Sequence, residues 1–238
     1  MKVFYDVDTQ NDFMNSNGAL YVPDAELIKP NLILLTDYAE GEKYNEKRFP
    51  IIGSVDRHFG SEEYKEREGE LAKWGGPFPD HCMDKSEGYR KIAETFLWTD
   101  NFRGDGCSHT SLYMENRLDS LIDYKLMQKA LETIRFKYQN WGPSAVYFEK
   151  QSYDVFTNPA IDCFLRLAKI DEAVVYGVAT DYCVKAAVLG MQERGIKCYV
   201  VEDAIKGVFP ESTQKALEEM TNAGAELVTT QDVLEGRI

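Results

Sequence analysis

Short segments rich in β-branched and aromatic residues alternate along this chain with longer amphipathic segments, and this alternation limits the possible folds more than any other feature. We predict strands at residues 2–7, 50–55, 144–148, 172–178, 197–201 and 226–229. Apolar residues at spacings of three and four predict helices at residues 24–38, 124–138, 158–168, 181–194 and 210–223. Strands and helices that alternate in this way form right-handed βαβ units around a parallel sheet.

The chain of 238 residues is predicted to form one domain, because an α/β domain of this length can bury a core on its own. We expect a Rossmann-like, three-layer α/β/α fold with a six-stranded, mostly parallel sheet. Gly195 and Gly224 directly follow two predicted helices, at the position where a left-handed glycine often ends a helix.

Residues 60–123 interrupt the alternation, because they are polar, rich in charge and glycine, and show no clear strand pattern. A structureless stretch of this length is unusual inside a compact domain, so we expect it to contain one or two short helices. Within the single domain 1–238, residues 84–123 are predicted to be an inserted lid or interface segment.

The composition excludes several classes of partner. A formal net charge of −13 argues against binding to nucleic acid or to an anionic membrane surface. The apolar runs are far shorter than a membrane span. The five cysteines are odd in number and form no CxxC pair, which favours reduced thiols in a cytosol over disulfides. Because the N-terminal residues also lack the pattern of a signal peptide, we expect a cytoplasmic protein.

Ionisable residues stand at the ends of several predicted strands. Asp8, Asp56 and Lys150 each come at or just after a strand, and the loop after the fourth strand leads to Cys183. Ligands of open parallel sheets bind outside the carboxyl ends of the strands. We therefore expect these four side chains to meet at one edge of the sheet.

Two of the three histidines of the chain stand close to one of these carboxylates. Asp56 and His58 follow a strand at positions i and i+2, and His81 follows a proline-rich turn. A carboxylate and two imidazoles can bind a divalent metal and leave positions open for water or substrate. The alternative is a surface aspartate with two incidental histidines. His109 stands alone and is expected to be a surface residue.

Cys183 lies at the predicted start of a helix, in the sequence Gly-Val-Ala-Thr-Asp-Tyr-Cys-Val. As a nucleophile it would have its pKa lowered by the helix dipole and by a cation such as Lys150. Backbone N–H groups of the same turn could stabilise an oxyanion, and Asp8 is the candidate base. The alternative is that Cys183 is simply a small buried apolar residue, as free cysteines often are.

Taken in order, these motifs resemble the isochorismatase-like cysteine hydrolases, and they are most similar to the nicotinamidase/pyrazinamidase branch. The resemblance covers most of the chain outside residues 84–123. It is carried by these sequences: Asp8-x-Gln10-x-Asp12-Phe13, Asp56-x-His58, Phe78-Pro79-x-His81-Cys82, Lys150 before Ser152-Tyr153-x-x-Phe156, and Gly177-Val-Ala-Thr-Asp-x-Cys183-Val184.

The resemblance implies an isochorismatase-like fold and deamidation of nicotinamide to nicotinate and ammonia through a cysteine thioester, a step of NAD salvage and pyridine nucleotide biosynthesis. It makes Cys183 the nucleophile and Asp8 the group that exchanges protons, with Lys150 holding both in place. The N–H groups of Ala179 and Cys183 would form the oxyanion hole. The peptide bond between Val178 and Ala179 is typically cis in this family.

For the rest of the site, the resemblance implies a divalent metal bound by Asp56, His58 and His81. The metal is usually zinc, and sometimes iron or manganese, and it would hold the pyridine nitrogen. The ring would be flanked by three aromatic residues: Phe13, Phe78 and Tyr153. Relatives of this kind often form homo-oligomers, which is also our expectation here.

The sequence departs from the family pattern at one metal position. Many bacterial members carry a third histidine six residues after the first, where this chain has Tyr64. Either three residues bind the metal, or one of the glutamates between Glu62 and Glu70 supplies a fourth ligand.

Residues 84–123, which the resemblance does not cover, leave other substrates open: an N-carbamoyl or ureido compound, or an unknown substrate of an isochorismatase-like hydrolase. A vinyl ether hydrolase is disfavoured because those members lack the cysteine. A non-catalytic relative is disfavoured because all three triad positions and three metal positions are kept.

Overall fold

The structure is a computed structural model that describes residues 1–41, 48–96, 111–117, 119, 122–136 and 145–238. Within these ranges the strands are β1 (Lys2–Val7), β2 (Ile51–Asp56), β3 (Leu112–Met114), β4 (Ala145–Lys150), β5 (Glu172–Val178), β6 (Lys197–Lys206) and β7 (Glu226–Val228). The α-helices there are α1 (Asn11–Met14), α2 (Lys29–Glu40), α3 (Tyr124–Phe136), α4 (Pro159–Ala168), α5 (Lys185–Glu193), α6 (Pro210–Asn222) and α7 (Thr230–Leu234).

The strands form one parallel sheet in the order β3-β4-β2-β1-β5-β6-β7. The predicted count of six strands is corrected to seven by β3, which lies inside the stretch where we expected no strand. Three residues are too few to form a recognisable run of β-branched and aromatic residues. Strand β3 is held by its pairing with β4, where Leu112 lies opposite Val146. The predicted parallel arrangement is confirmed.

Helices cover both faces of the sheet, which confirms the three-layer α/β/α fold. On one face, helices α3 to α6 pack against the inward side chains of β1, which include Tyr5 and Val7. On the other face, α2 and α7 pack against residues that include Phe4. Full burial of a side chain such as Phe4 stabilises the fold by about 1.5–3 kcal/mol. Because helices cover both faces, successive residues of β1 are buried on either side, which explains why this strand is a short run of mostly β-branched and aromatic residues.

Most predicted helix boundaries agree with the structure. Helix α4 begins after Asn158, whose side chain accepts a hydrogen bond from the Ala160 N–H at 2.9 Å. Gly195 and Gly224 have φ angles of 75° and 107°, as expected for residues that end helices. The helix predicted at residues 24–38 begins later than expected. Helix α2 begins at Lys29, just before Pro30, and a 3₁₀ turn over Ala25–Ile28 precedes it.

Short 3₁₀ turns at Glu62–Tyr64 and Ala72–Trp74 confirm the prediction of short helical segments in the irregular region. Cys107 and His109 lie outside the described residues, as does part of the predicted inserted segment. Among the helices of the described ranges, none combines the length and the apolar character that crossing a membrane requires.

Candidate active site

Four adjacent strands bring the predicted catalytic residues together at one edge of the sheet. Lys150 ends β4, Asp56 ends β2, Asp8 follows β1, and Cys183 lies in the turn after β5. These strands are neighbours in the order β4-β2-β1-β5, so residues far apart in sequence become neighbours in space. The parallel direction of all four strands places the side chains at the same end.

Lys150 is the centre of this group. Its Nζ atom lies 2.9 Å from Oδ2 of Asp8 and 3.4 Å from Sγ of Cys183, and it also contacts Oδ1 of Asp56. Sulfur of Cys183 and carboxylate oxygens of Asp8 and Asp56 lie within 4.8 Å of one another. Because Asp8 and Lys150 are fully buried and Cys183 is 8% exposed, these contacts are formed away from bulk water.

Burial controls the protonation of this group. It raises the pKa of the Cys183 thiol well above its usual value, although the Lys150 ammonium acts in the opposite direction. Burial also raises the pKa of Asp8, again against the effect of Lys150. Burial alone would lower the pKa of Lys150, but Asp56 and Asp8 hold it well above its usual range. The lowered thiol pKa expected from the sequence is therefore wrong, because desolvation outweighs the nearby cation.

The backbone around Asp8 and Cys183 is tightly shaped. Asp8 has a φ of 46°, uncommon for a non-glycine residue, and its carbonyl accepts a hydrogen bond from the Gln10 N–H at 2.7 Å. The Val178–Ala179 peptide bond is cis, as in the family pattern. Gly177 has a φ of 117°, and a Cβ at this position would lie 2.1 Å from the Val7 carbonyl oxygen. Only glycine fits where β5 passes so close to β1.

Cys183 lies within a π-helical turn, Thr180–Val184, that leads into α5. The Ala179 carbonyl accepts hydrogen bonds from the N–H groups of Tyr182 and Val184, both at 3.1 Å. This turn starts where the cis bond ends, so Ala179 and Cys183 stand at the two ends of one compact loop. Both residues also line the same pocket.

A second group of buried ligand-type atoms adjoins the first. Ligand atoms of Asp56, His58, Glu70 and His81 lie within 4.8 Å of one another. Asp56 Oδ2 lies 3.6 Å from His81 Nε2, and Glu70 Oε1 lies 3.4 Å from His58 Nε2. The three residues predicted from the sequence are thus brought together, and Glu70 is the glutamate that joins them. Asp56 belongs to both groups, because its other carboxylate oxygen faces Lys150.

The surroundings of the imidazoles differ. The Nδ1 atom of His81 lies 2.7 Å from the Pro79 carbonyl oxygen, which fixes that ring. His58 is fully buried, and neither of its ring nitrogens makes a hydrogen bond to any described residue. Buried polar atoms rarely lack partners, so unpaired ring nitrogens facing carboxylates are the arrangement expected of a metal ligand. Tyr64, which stands at the family's third histidine position, stacks on Phe59 at 4.2 Å instead.

Glu68 supports the loop that carries these ligands. It is fully buried, and its carboxylate accepts hydrogen bonds from the N–H groups of Phe59 at 2.5 Å and Gly60 at 2.9 Å. The loop after His58 is thereby tied to the segment that delivers Glu70. The roles of Glu68 and Glu70 could not be distinguished from the sequence alone, because both belong to one run of acidic residues.

A single pocket opens onto both groups. The pocket has a cavity volume of about 60 Å³, measured as the space in which the centre of a water molecule can lie. On the same measure one water needs roughly 10–15 Å³, so the pocket has room for several waters. A small single-ring ligand therefore suits the pocket better than a long one. Its wall is mostly apolar, with the polar groups at one end, and is formed by Phe13, Leu20, Tyr21, Val22, Asp56, Glu70, Phe78, His81, Tyr153, Val178, Ala179, Tyr182, Cys183 and Val208.

All three aromatic residues predicted for substrate contact line this pocket. Phe78 meets the ring of Tyr182 edge-on at 5.5 Å, and Tyr153 meets it at 6.5 Å. Phe13 lies 5.5 Å from the imidazole of His81. Tyr182 was missed by the sequence reasoning, although its place beside Cys183 was a usable signal.

Val208 was also missed, and no local motif marks it. Its loop is fixed by Asp181, whose carboxylate accepts hydrogen bonds from the Val208 N–H at 2.9 Å and the Phe209 N–H at 3.3 Å. Asp181 is 6% exposed and precedes Cys183 by two residues. The turn that carries the cysteine thus also holds the opposite wall of the pocket.

Comparison with known proteins agrees with this geometry. The isochorismatase domain profile matches residues 137–232. The nicotinamidase of Escherichia coli is 30% identical in an alignment 243 residues long, which covers 95% of this chain and 93% of that protein. This chain belongs to the isochorismatase-like hydrolase family. It is a hydrolase that acts on amide C–N bonds.

Two further relatives cover nearly the whole chain. The nicotinamidase/pyrazinamidase of Mycobacterium tuberculosis is 24% identical over 229 residues, covering 96% of this chain and 98% of the relative. The pyrazinamidase of Pyrococcus horikoshii, solved in complex with zinc, superposes with a TM-score of 0.65 at 25% identity and covers 96% of this chain and 98% of that one. The family resemblance seen in the motifs is therefore confirmed over the full fold.

Proposed function

We propose that this hydrolase deamidates nicotinamide, producing nicotinate and ammonia. The observation that carries the proposal is the position of Asp56, which contacts Lys150 on one side and His81 on the other. It joins the group around the thiol to the imidazole group within one small aromatic-walled pocket. A carboxamide at the thiol and a ring nitrogen at the imidazole group would be spanned by one pyridine carboxamide.

In the proposed reaction, Asp8 takes the proton of the Cys183 thiol as sulfur attacks the carboxamide carbon. The raised pKa of the thiol favours this coupled transfer over a preformed thiolate. The N–H groups of Ala179 and Cys183 stabilise the resulting oxyanion. Asp8 then gives the proton to the leaving nitrogen, and the C–N bond breaks to release ammonia and leave a thioester.

Water completes the cycle. Asp8, again a carboxylate, removes a proton from a water molecule that attacks the thioester carbon. The C–S bond breaks, Asp8 returns this proton to the sulfur of Cys183, and the carboxylic acid product loses its own proton to solvent and leaves as nicotinate. Lys150 keeps its proton throughout, because two carboxylates hold its pKa well above its usual range. Its role is to hold Asp8 and Cys183 in place while charge moves between them.

We further propose that Asp56, His58 and His81 bind a divalent metal, with Glu70 as the fourth protein ligand. Two imidazoles and two carboxylates suit zinc, and iron or manganese are alternatives. The unpaired ring nitrogens of His58 support this assignment, as does the zinc complex of the Pyrococcus horikoshii pyrazinamidase. When bound, such a metal supplies a Lewis acid for the ring nitrogen of the substrate. Phe13, Phe78 and Tyr153 would flank that ring.

The competing substrate class is an N-carbamoyl compound such as N-carbamoylsarcosine. Such a molecule carries a carboxylate, which a binding site usually pairs with a cation. Within the described part of the chain, the residues that line the pocket include no lysine or arginine. The carboxylates of Asp56 and Glu70 would balance the two positive charges of the proposed metal, so no excess positive charge remains for a substrate carboxylate. This charge balance favours a neutral amide. The same argument disfavours isochorismate, which is also an anion.

We also propose a wider setting for this activity. We place the reaction in NAD salvage within the cytoplasm, in a single domain over residues 1–238 that assembles as a homo-oligomer. Residues 84–123 are proposed to act as a lid or an interface segment in that assembly, anchored to the fold by the buried Lys91 and by strand β3.

The test is an ammonia-release assay on protein whose bound metal has been measured. The substrates are nicotinamide, pyrazinamide and N-carbamoylsarcosine. Activity on the two ring carboxamides, with little or none on the carbamoyl compound, supports the proposal. Activity confined to the carbamoyl compound, or release from no ring carboxamide at all, overturns it.

A further inference from the structure

A second buried lysine lies beside the loop that carries Asp8. The side chain of Lys91 is 1% exposed, and its Nζ atom lies 2.7 Å from Oδ2 of Asp6, which is also 1% exposed. The same Nζ donates a hydrogen bond to the Thr9 hydroxyl at 2.7 Å. Lys91 contributes nothing to the pocket wall, so the proposed reaction leaves this ion pair without a role.

The Thr9 hydroxyl is the junction of this group. It donates to Oδ1 of Asp6 at 2.8 Å, accepts from Lys91, and lies 2.6 Å from the Thr95 hydroxyl. A hydroxyl has one hydrogen and two lone pairs, so Thr95 must be the donor in the last bond. Every hydrogen-bonding position of Thr9 is then used. We name Asp6, Thr9, Lys91 and Thr95 the Lys91 cluster.

Backbone bonds hold the segment of Lys91 along the same loop. The Ile92 N–H donates to the Thr9 carbonyl at 2.9 Å, and the Asn11 N–H donates to the Arg90 carbonyl at 2.8 Å. The Gln10 side chain reaches the Tyr89 carbonyl at 2.7 Å. The chain on the C-terminal side of Asp8 is therefore fixed through both its backbone and its side chains.

In the sequence, Asp8 lies between Asp6 and Thr9, which are both members of the cluster. The side chain of Thr9 is held by Lys91, while Asp8 turns to the other lysine, Lys150. Replacing a buried ion pair by apolar residues of similar size often leaves a fold equally or more stable, so a buried pair is weak evidence for a stabilising role. A fixed geometry next to the proton-exchanging carboxylate is what this pair provides.

We infer that the Lys91 cluster is a positioning device that fixes Asp8 against Cys183 through the side chain of Thr9. The inference rests on the proposed function, in which Asp8 is the base. Thr9 and Lys91 are positioning residues, because neither touches the substrate or the thiol. Loss of the Thr9 hydroxyl would leave the pocket intact but let Asp8 shift. Since small displacements of a reacting group slow a reaction steeply, about a tenfold loss of kcat is expected.

The experiment compares two substitutions at Thr9 with a distant control. Thr9→Val removes the hydroxyl at nearly constant volume, and Thr9→Ser keeps it. Thr133→Val removes a mostly buried threonine hydroxyl on α3, where that group bonds only to the Lys129 carbonyl among the partners described. For each variant, kcat and KM for nicotinamide and the unfolding midpoint are measured. The double variant Asp6→Leu with Lys91→Met replaces the ion pair by apolar side chains.

For Thr9→Val, we expect kcat to fall about tenfold with KM within about twofold of the parent. Thr9→Ser and Thr133→Val should keep kcat within about twofold, and the folded double variant should lose kcat as Thr9→Val does. Retention of kcat by both Thr9→Val and the double variant would overturn the inference. So would an equal loss in Thr9→Ser or Thr133→Val, or a change confined to KM. If the double variant does not fold, the Thr9 pair decides alone.

A second readout separates this inference from the proposed substrate. Alkylation of Cys183 by iodoacetamide, followed by peptide mapping to distinguish it from the other thiols, reports on Asp8 without any amide. We expect Thr9→Val to slow alkylation of Cys183 severalfold and Thr9→Ser to leave it unchanged. If the parent releases no ammonia from nicotinamide, the proposed function fails, but this effect on the thiol remains. Equal alkylation rates in the two variants would contradict positioning whatever the substrate.

Discussion

The Nζ atom of Lys150 lies 2.9 Å from Oδ2 of Asp8, and both side chains are fully buried. This pair favours the charged form of the Asp8 carboxylate in a place where burial opposes charge. Without the ammonium, the pKa of Asp8 would rise further, because its largest influence is desolvation and its largest opposing influence is Lys150. The activity of a base at position 8 therefore depends on this one contact and on pH.

The first prediction concerns the acid side of the pH profile. Asp8 accepts a proton only in its ionised form, and burial raises its pKa above the 3.8 of an exposed aspartate. As pH falls through this raised pKa, Asp8 becomes protonated and kcat/KM should decline. The midpoint of the decline should therefore lie above pH 3.8, measured as kcat/KM for nicotinamide over the range in which the protein stays folded.

Loss of metal at low pH could produce a similar decline, so bound metal is measured at each pH. A midpoint at or below the value of an exposed aspartate, on protein that keeps its metal, would contradict the assignment of Asp8 as the base.

The second prediction concerns the nucleophile. Cys183→Ala should lower kcat for ammonia release by at least about 10³-fold, because among the described residues that line the pocket Cys183 is the one that carries a thiol. The fold should be kept, since alanine removes only a sulfur from a residue already close to the pocket. The matched control is Cys163→Ala on α4, a half-buried thiol outside the pocket, which should retain full activity. Residual activity in Cys183→Ala above one tenth of the parent value would make another residue the nucleophile.

Much of this site could be predicted from the sequence because its residues stand at strand ends. Asp8, Asp56 and Lys150 stand at the ends of short segments rich in β-branched and aromatic residues, and parallel strands place such ends side by side. The location of the Cys183 thiol was predicted in the same way, from the end of β5. The pKa of this thiol could not be predicted, because desolvation depends on how completely the surrounding chain covers Cys183, and no local sequence pattern records that.

Other features depended on long-range packing. Strand β3 has three residues and exists through its pairing with β4, so its own sequence carries little signal. Glu70 was one of several acidic residues, and its role depends on the path of an irregular loop fixed by Glu68. Lys91 lay in a segment without recognised motifs, and only the fold brings it to Thr9.

The third prediction concerns the aromatic wall. The ring of Tyr182 contacts the rings of Phe78 and Tyr153, so it supports two other aromatic side chains that line the pocket. Aromatic pairs contribute about 0.5–1.5 kcal/mol each, so Tyr182→Leu should raise KM for nicotinamide roughly threefold to tenfold with a smaller effect on kcat. Tyr182→Phe keeps the ring and should resemble the parent. Tyr124→Leu, on an exposed tyrosine of α3, is the control for loss of an aromatic ring.

An unchanged KM in Tyr182→Leu would mean that the wall does not hold the substrate ring. A loss confined to kcat would instead assign Tyr182 to the alignment of Cys183, its neighbour in the chain.

The last prediction concerns the fourth ligand. Glu70 Oε1 lies 3.4 Å from His58 Nε2 and 3.8 Å from His81 Nε2, whereas Glu62 is an exposed glutamate on the same irregular region. Glu70→Gln should weaken metal binding by at least roughly tenfold, since it removes a charged ligand from a buried site. Glu62→Gln, which carries the same chemical change, should bind metal as the parent does.

Metal affinity is measured by competition with a chelator, and activity is measured after removal and return of zinc. Chelation should abolish ammonia release in every variant, and zinc should restore it at a higher concentration in Glu70→Gln than in Glu62→Gln. Equal affinities in the two variants would leave Asp56, His58 and His81 as the whole protein ligand set, and full activity after complete removal of metal would favour a carbamoyl amide as the substrate.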